Sequence, residues 1–303
     1  MRPYRRGWLK GDCPSCGRPG KFGVNLFRDR TNCFVCEYHP KPITLIRELE
    51  DLDTYNEVME VIQDYKEMEY IAPVIKEIDE SKVVLPDHYI NIALGDSRLA
   101  RMARNYIRGR GFDIDDLSLK GWGYCTDGDY YGYIIIPFYM GGKLVYFNAR
   151  KFFGAGPKYN NPTAEDSGIG KSIIIYNVEA LNIYKEVFLM EGVINAETIG
   201  PEGIATGGKD ISTKQLSIIK TSPVESMVLL LDPDAIERSV EIALDLIFYK
   251  KVKLVFWEGD KDVNDLGREE TLKRVNAVNY STYNELIKFK NRLKYAKGPV
   301  NSY

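Results

Sequence analysis

Across residues 91–303, short continuous apolar runs alternate with stretches whose apolar residues recur every three or four positions. The first pattern fits buried strands and the second amphipathic helices. It predicts strands over 132–138, 143–148, 172–176, 187–191, 227–232 and 253–257, with helices near 98–109, 193–200, 212–220, 235–250 and 282–295. The last four strand candidates end in or near a polar residue and lead into a helix. Strands of that kind form a mostly parallel sheet with helices on both faces. Chemistry in such sheets gathers at the carboxyl ends of strands, where Glu191 and Asp232 fall.

The first ninety residues read differently. Residues 7–42 are rich in Gly, Pro, Cys and aromatics and carry no long helical period. They predict a small β-rich module that needs a metal, because so few residues bury too little apolar surface on their own. A helical pattern follows in Ile43, Ile46 and Leu49, then Asp53 as an N-cap before Val58, Val61 and Ile62. Pro73, Pro86 and scattered charge mark a linker. The fold class is α/β, or α+β taken over the whole chain.

Composition narrows the function classes. With 44% hydrophobic and 28% charged residues in a chain of 303, this is ordinary globular protein of about two domains. No apolar run approaches the roughly 20 residues of a membrane span, so no membrane partner is expected. No apolar stretch follows the basic start Met1-Arg2-Pro3-Tyr4-Arg5-Arg6, so the expected compartment is the cytoplasm, a host's if the gene is a phage's. The net charge of −2 conceals segregation: residues 1–44 carry +6, residues 45–90 carry −9 and residues 97–171 carry +4. Two basic blocks around an acidic spacer suit two nucleic-acid contact regions.

Cys13-Pro-Ser-Cys16 and Cys33-Phe-Val-Cys36 place two C-x-x-C pairs 16 residues apart. Four soft thiolates on two tight knuckles converge on one tetrahedral ion, which selects structural Zn2+. His39 is read as a bystander. Arg18, Lys21, Phe22, Phe27, Arg28 and Arg30 lie between the pairs and mix cations with rings, as single-stranded nucleic acid requires, although some of the rings must form the module's own core.

Three acidic clusters end or follow predicted strands: Glu191-Gly192, Asp232-Pro233-Asp234, and Asp260-Lys261-Asp262-Val263-Asn264-Asp265. A single Asp-x-Asp is ordinarily a solvated loop. Three clusters on neighbouring strand ends would instead gather hard oxygens for Mg2+ (or Mn2+), the ion that neutralises phosphates in nucleotidyl transfer.

In order and spacing, Glu191-Gly192, Asp232-x-Asp234 and Lys261-Asp262-Val263-Asn264-Asp265-Leu266 resemble the three motifs of the TOPRIM fold, shared by primases, topoisomerases and some nucleases. Further segments resemble bacterial-type DNA primases: Tyr106-Ile107-Arg108-Gly109-Arg110-Gly111-Phe112, Ile136-Pro137-Phe138, Gly142-Lys143 through Asn148-Ala149-Arg150, Pro157-Lys158-Tyr159-Asn160-Asn161-Pro162, and Gly170-Lys171. Nearly the whole chain is covered. One departure is Pro233, where family primases usually carry a glycine.

The resemblance implies a zinc ribbon over 1–50, a helical and acidic linker over 51–90, the N-terminal subdomain of a polymerase core over 91–184, a TOPRIM doubly wound sheet over 185–270 and a helical tail over 271–303. It implies that Glu191, Asp232 and Asp234 hold Mg2+, with Glu191 as general acid/base or metal-adjacent group, and that Asp262 is the third-motif carboxylate. Lys158 and Lys171 join them as catalytic cations. Arg110, Asn148, Arg150, Lys158, Tyr159 and Asn161 contact nucleotide or DNA. The implied partners are a single-stranded DNA template, ribonucleoside triphosphates and a separate replicative helicase, since the chain resembles a compact phage-type primase without a helicase domain. The alternatives are a TOPRIM nuclease and a zinc-ribbon recombination mediator; the mediator would bring a helix-hairpin-helix, and none is seen.

Overall fold

The structure, a computed structural model, describes residues 2–3, 8–25, 30–40, 42–52, 57, 83–167, 169–170, 172–208, 210–256, 259 and 261–296. The expected helix from Asp53 to Ile62 and most of the acidic linker lie outside these, as do Phe27, Arg28, Lys171, Trp257 and Asp260.

The N-terminal sheet is an antiparallel meander of β1 (Arg2–Pro3), β2 (Trp8–Gly11), β3 (Phe22–Asn25) and β4 (Arg30–Cys33). Because neighbouring strands alternate in direction, the ends of β2 and β4 lie at the same edge, with Gly11 and Cys33 both opposite Phe22. Each leads into a C-x-x-C knuckle there. Cys13, Phe22, Val24, Cys33 and Leu45 form a small cluster of their own. Leu45 comes from α1 (Pro42–Glu50). The helix is as expected, but its inward residue is Leu45 rather than Leu49, which is exposed; the ribbon offers only a narrow apolar face, and one leucine covers it.

A second antiparallel sheet joins β5 (Tyr89–Asn91), β6 (Gly123–Cys125), β7 (Tyr133–Met140) and β8 (Lys143–Lys151), with α2 (Arg98–Gly109) and α3 (Ile114–Leu119) between β5 and β6. Ser97 caps α2 by accepting from Ala100 N, and Asp113 caps α3. β7 and β8 turn at Gly141-Gly142, both at positive φ, which a two-residue hairpin demands. Alternate residues point to opposite faces. Ile134, Ile136, Phe138 and Met140 enter the main core, whereas Tyr133, Ile135, Phe147 and Ala149 pack with Cys125 on the other side. Cys125 is thus a core thiol.

After α4 (Ala164–Ser167) and α5 (Ala180–Ile183) comes the third sheet, in the order β10-β9-β11-β12 and wholly parallel. Its members are β9 (Glu186–Met190), β10 (Gly203–Ala205), β11 (Ser226–Leu229) and β12 (Lys251–Leu254). The connecting helices are α6 (Val193–Ile199), α7 (Thr213–Thr221) and α8 (Ile236–Leu246), followed by α9 (Val263–Asn276) and α10 (Tyr283–Ala296). From β9 the chain moves outward to β10, then crosses back to β11. Right-handed crossovers in opposite directions put α6 on one face and α7 and α8 on the other. α9 packs on α6 and α10 on α8, completing both layers. One continuous hydrophobic core runs through the second and third sheets.

One expectation is corrected. Residues 172–176 form turns with one isolated antiparallel bridge, Tyr176 to Ala205. The Ile174 carbonyl that a strand would pair is taken instead by the buried Gln215 side chain at 2.6 Å. The sheet's remaining strand is β10, a three-residue segment without a sequence signal. Helix α9 was not anticipated either, because Gly267, at φ 78, breaks its period one turn in.

Glu179 is buried beneath the β7–β8 turn, where its carboxylate accepts from Gly141 N at 3.1 Å. Burial pushes its carboxyl up to about 7, against the lowering effect of the backbone N–H bonds. A raised carboxyl binds its proton more tightly folded than unfolded, so stability is highest below the unfolded value and declines as pH rises toward 7. The decline is expected to be on the order of 2–3 kcal/mol. Denaturant titrations at pH 5 and pH 8 should show it in the wild type and not in Glu179→Gln. Equal slopes in both proteins would remove Glu179 as the cause.

Candidate active site

In the N-terminal module the Sγ atoms of Cys13 and Cys36 lie 3.7 Å apart and those of Cys16 and Cys33 3.8 Å. All four lie within 4.8 Å of one another. A tetrahedron with Zn–S bonds of about 2.3 Å has edges of about 3.8 Å, so the sulfurs already have the separation that zinc requires. Local backbone sets this. Gly17 N bonds Cys13 O at 2.8 Å and Gly17 takes φ 67, while Glu37 takes φ 58 in the matching position of the second knuckle. A left-handed glutamate costs about 1 kcal/mol, which the knuckle imposes on the chain. Cys16 N points to Cys13 Sγ at 3.5 Å. Backbone N–H groups of Cys36 and Val35 hold the Cys33 thiol down to about 6, favouring the thiolate. His39 is not in the cluster. Phe22 is fully buried and therefore core, while Arg18 and Lys21 are exposed. Phe34 is an exposed ring that sequence reasoning passed over, with Lys10 Nζ 5.7 Å from its centroid.

The second site lies at the carboxyl edge of the parallel sheet. β9 and β11 are neighbours whose connections leave in opposite directions, so a crevice opens between their ends. Glu191 follows β9 and Asp232 and Asp234 follow β11. Their carboxylates lie within 4.8 Å of one another, with Glu191 buried, Asp232 half-buried and Asp234 exposed. Pro233 begins a 3-10 turn, Pro233–Ala235, and Asp232 sits at φ −61 and ψ 154, the extended shape favoured before proline. Proline at a first helical position needs no N–H partner and fixes φ. The departure from glycine is therefore accommodated in a turn that leads directly into α8. Three anionic oxygen donors of graded exposure fit Mg2+ or Mn2+, which retain waters and accept phosphate oxygens on the open side. Asp262 is not in this cluster. It caps α9, accepting from Asp265 N at 2.9 Å, in a reciprocal capping box.

The cations expected from sequence lie on β8, in the segment beside it and at the end of α2. Arg150 on β8 donates from Nε to the Tyr106 hydroxyl at 3.1 Å and lies 4.8 Å from the Tyr159 ring centroid. Arg110 lies 5.6 Å from the Tyr106 ring and donates to Asn264 Oδ1 at 3.1 Å. Residues 157–162 run along the free edge of β8. Lys151 N donates to Lys158 O and Asn160 N to Ala149 O, both at 3.0 Å. The Asn161 side chain accepts from Ala149 N at 3.1 Å, so it fastens the segment to the strand. Lys158 is exposed. Asn148 is buried two residues before Arg150 on the same face, and its Oδ1 has no hydrogen-bond partner among the described residues. Buried acceptors of that kind are uncommon, and an ordered water or an incoming donor can satisfy them. Tyr106 and Asn264 are site residues whose side chains sequence reasoning assigned no role, although both lie inside recognised motifs.

No protein-family model matches this chain, and neither does any curated protein sequence. Solved structures do match. The zinc-binding and RNA polymerase domains of the Aquifex aeolicus primase align over 96% of this chain and 85% of that one, at 16% identity and TM-score 0.53. The E. coli primase catalytic core aligns over 65% and 79%, at 15% identity and TM-score 0.54. A DnaG primase catalytic domain bound to single-stranded DNA aligns over 75% and 85%, at 14% identity and TM-score 0.57. Among the described residues no helix is long and apolar enough to cross a membrane. The chain shares the fold of these primase structures: a cysteine-cluster ribbon followed by a core folded like their catalytic domains.

Proposed function

We propose that this protein is a DNA primase that builds short RNA primers on a single-stranded DNA template. The observation that carries the reading is the convergence of Glu191, Asp232 and Asp234 at a strand edge, in a core whose fold matches primase cores. Bound Mg2+ or Mn2+ would neutralise the triphosphate and the charge that develops as its α-phosphorus is attacked. The chain's own residues do the rest. Glu191, the most buried of the three, takes the proton of the attacking 3′-hydroxyl. Arg150 holds phosphate in an orientation fixed by Tyr106 and Tyr159. Lys158, exposed on the edge of β8, and Lys171, outside the described residues, supply further charge to triphosphate or template. Asn148 Oδ1 receives a donor from the nucleotide. The ribbon reads the template through its exposed cations and Phe34, and a separate replicative helicase delivers the single strand. The expected setting is the cytoplasm.

The test is incubation with single-stranded DNA, the four ribonucleoside triphosphates and Mg2+. Labelled oligoribonucleotides of defined length are the expected product. Shortened DNA with no RNA would replace the proposal by a nuclease, and DNA binding alone by a recombination mediator.

A further inference from the structure

We infer that Asn264 is a positioning residue: it locks the start of α9 and the length of α6 onto the C-terminal end of α2, and so fixes the carboxylate cluster relative to the arginines. The inference rests on the reading of that cluster given above. Asn264 is the second residue of α9, two positions beyond the Asp262 cap. Its Nδ2 donates to Arg110 O at 3.0 Å and to Thr198 Oγ1 at 2.9 Å. Its Oδ1 accepts from Arg110 Nη1 at 3.1 Å. Its backbone N–H donates to Asn195 Oδ1 at 3.2 Å.

The chemistry fixes which end of the amide is which. A carbonyl such as that of Arg110 can only accept. The Thr198 hydroxyl already donates to Ile194 O at 3.0 Å, so it meets Asn264 with a lone pair. Both neighbours therefore require the amide nitrogen, and the Arg110 guanidinium requires the oxygen. Neither aspartate nor an apolar residue of this size supplies two donors and an acceptor together.

The positions tied are those that matter. Asn195 lies one helical turn beyond Glu191 and Thr198 nearly another turn along α6. Arg110 caps the end of α2 over the Tyr106 ring, and the Tyr106 hydroxyl accepts from Arg150 Nε. One side chain thus spans 154 residues of sequence to join the element after Glu191, the element after Asp262 and the cationic wall. Reacting groups displaced by about 1 Å lose on the order of a hundredfold in rate, so such a joint acts on catalysis without touching substrate.

The test compares Asn264→Ala, Arg110→Ala, their double variant and the near-isosteric Thr198→Val, which retains the fold if Asn264→Ala does not. Mn2+ binding to the protein alone, without nucleotide or DNA, is measured by paramagnetic titration, and primer synthesis is resolved into kcat and KM. Asn264→Ala is expected to weaken Mn2+ several-fold and to lower kcat at least tenfold with KM within about twofold. Thr198→Val should move both in the same direction by a few-fold. In Mn2+ affinity the double variant should be no worse than the worse single, because residues that act as a unit are not additive. Additive losses, or wild-type Mn2+ affinity and kcat in a folded Asn264→Ala, would overturn the inference. If the wild type makes no primer while the Mn2+ measurements respond as stated, the primase reading fails and the joint stands.

Discussion

Asp232→Ala is expected to reduce primer synthesis at least a thousandfold while leaving the protein folded and able to bind single-stranded DNA. The argument is electrostatic. Three carboxylates lie within 4.8 Å of one another on a strand edge, and like charges that close repel by about 1 kcal/mol or more per pair. Removing one relieves the repulsion, so the thermal midpoint should hold or rise slightly. On the proposed function, the metal that would relieve it is lost with the carboxylate, and with it several kcal/mol of transition-state charge stabilisation; about 4 kcal/mol is a thousandfold. Asp234→Ala should behave similarly but less completely, since Asp234 is the more exposed ligand. Glu191→Gln preserves shape and hydrogen bonding and isolates the need for a negative charge. The measurements are primer yield, DNA affinity and thermal midpoint on the same preparations. Undiminished yield from both aspartate variants would end the metal-centre reading.

Cys33→Ser is expected to abolish zinc binding and unfold the ribbon while leaving the main thermal transition in place. Cys13 and Cys33 are two of the five buried members of the ribbon's cluster, so the metal and the core are largely the same object. A hydroxyl does not replace a thiolate at Zn2+, and structural zinc contributes on the order of 10 kcal/mol to such a module. Metal analysis should fall from one zinc per chain to none, and proteases should cut within residues 8–40. The catalytic core has its own continuous hydrophobic cluster and should melt unchanged. A variant that retains one zinc and a protected ribbon would refute the four-cysteine site.

Much of this architecture is legible along the chain because it is locally encoded. The four cysteines announce their cluster by spacing. The ends of β9 and β11 are marked by apolar runs that stop at an acid, and helices α2, α6, α7 and α10 fall within a residue or two of where periodicity puts them. What sequence hides has a physical cause in each case. β10 is three residues long and is held by its neighbour rather than by its own pattern. Residues 172–176 look like a strand because they are apolar, yet their backbone bonds go to the Gln215 side chain and one bridge. Asp262 reads from sequence as the carboxylate of the third motif, and the structure adds a second task for its side chain, capping α9. The joint between Arg110 and Asn264 has no local signature at all, since its partners meet only when both subdomains are folded.

That difference in reach has a consequence for how the molecule is made. The ribbon's cysteine contacts close over 23 residues. Pairing β9 with β11 needs about 40 residues more to be synthesised after β9 begins, and the Arg110–Asn264 joint needs 154. Local contacts form quickly and distant ones wait for the chain to arrive. On the ribosome, the four-cysteine cluster can therefore close while the parallel sheet is still being translated. The Glu191, Asp232 and Asp234 cluster comes into being only after the second carboxylate motif has emerged.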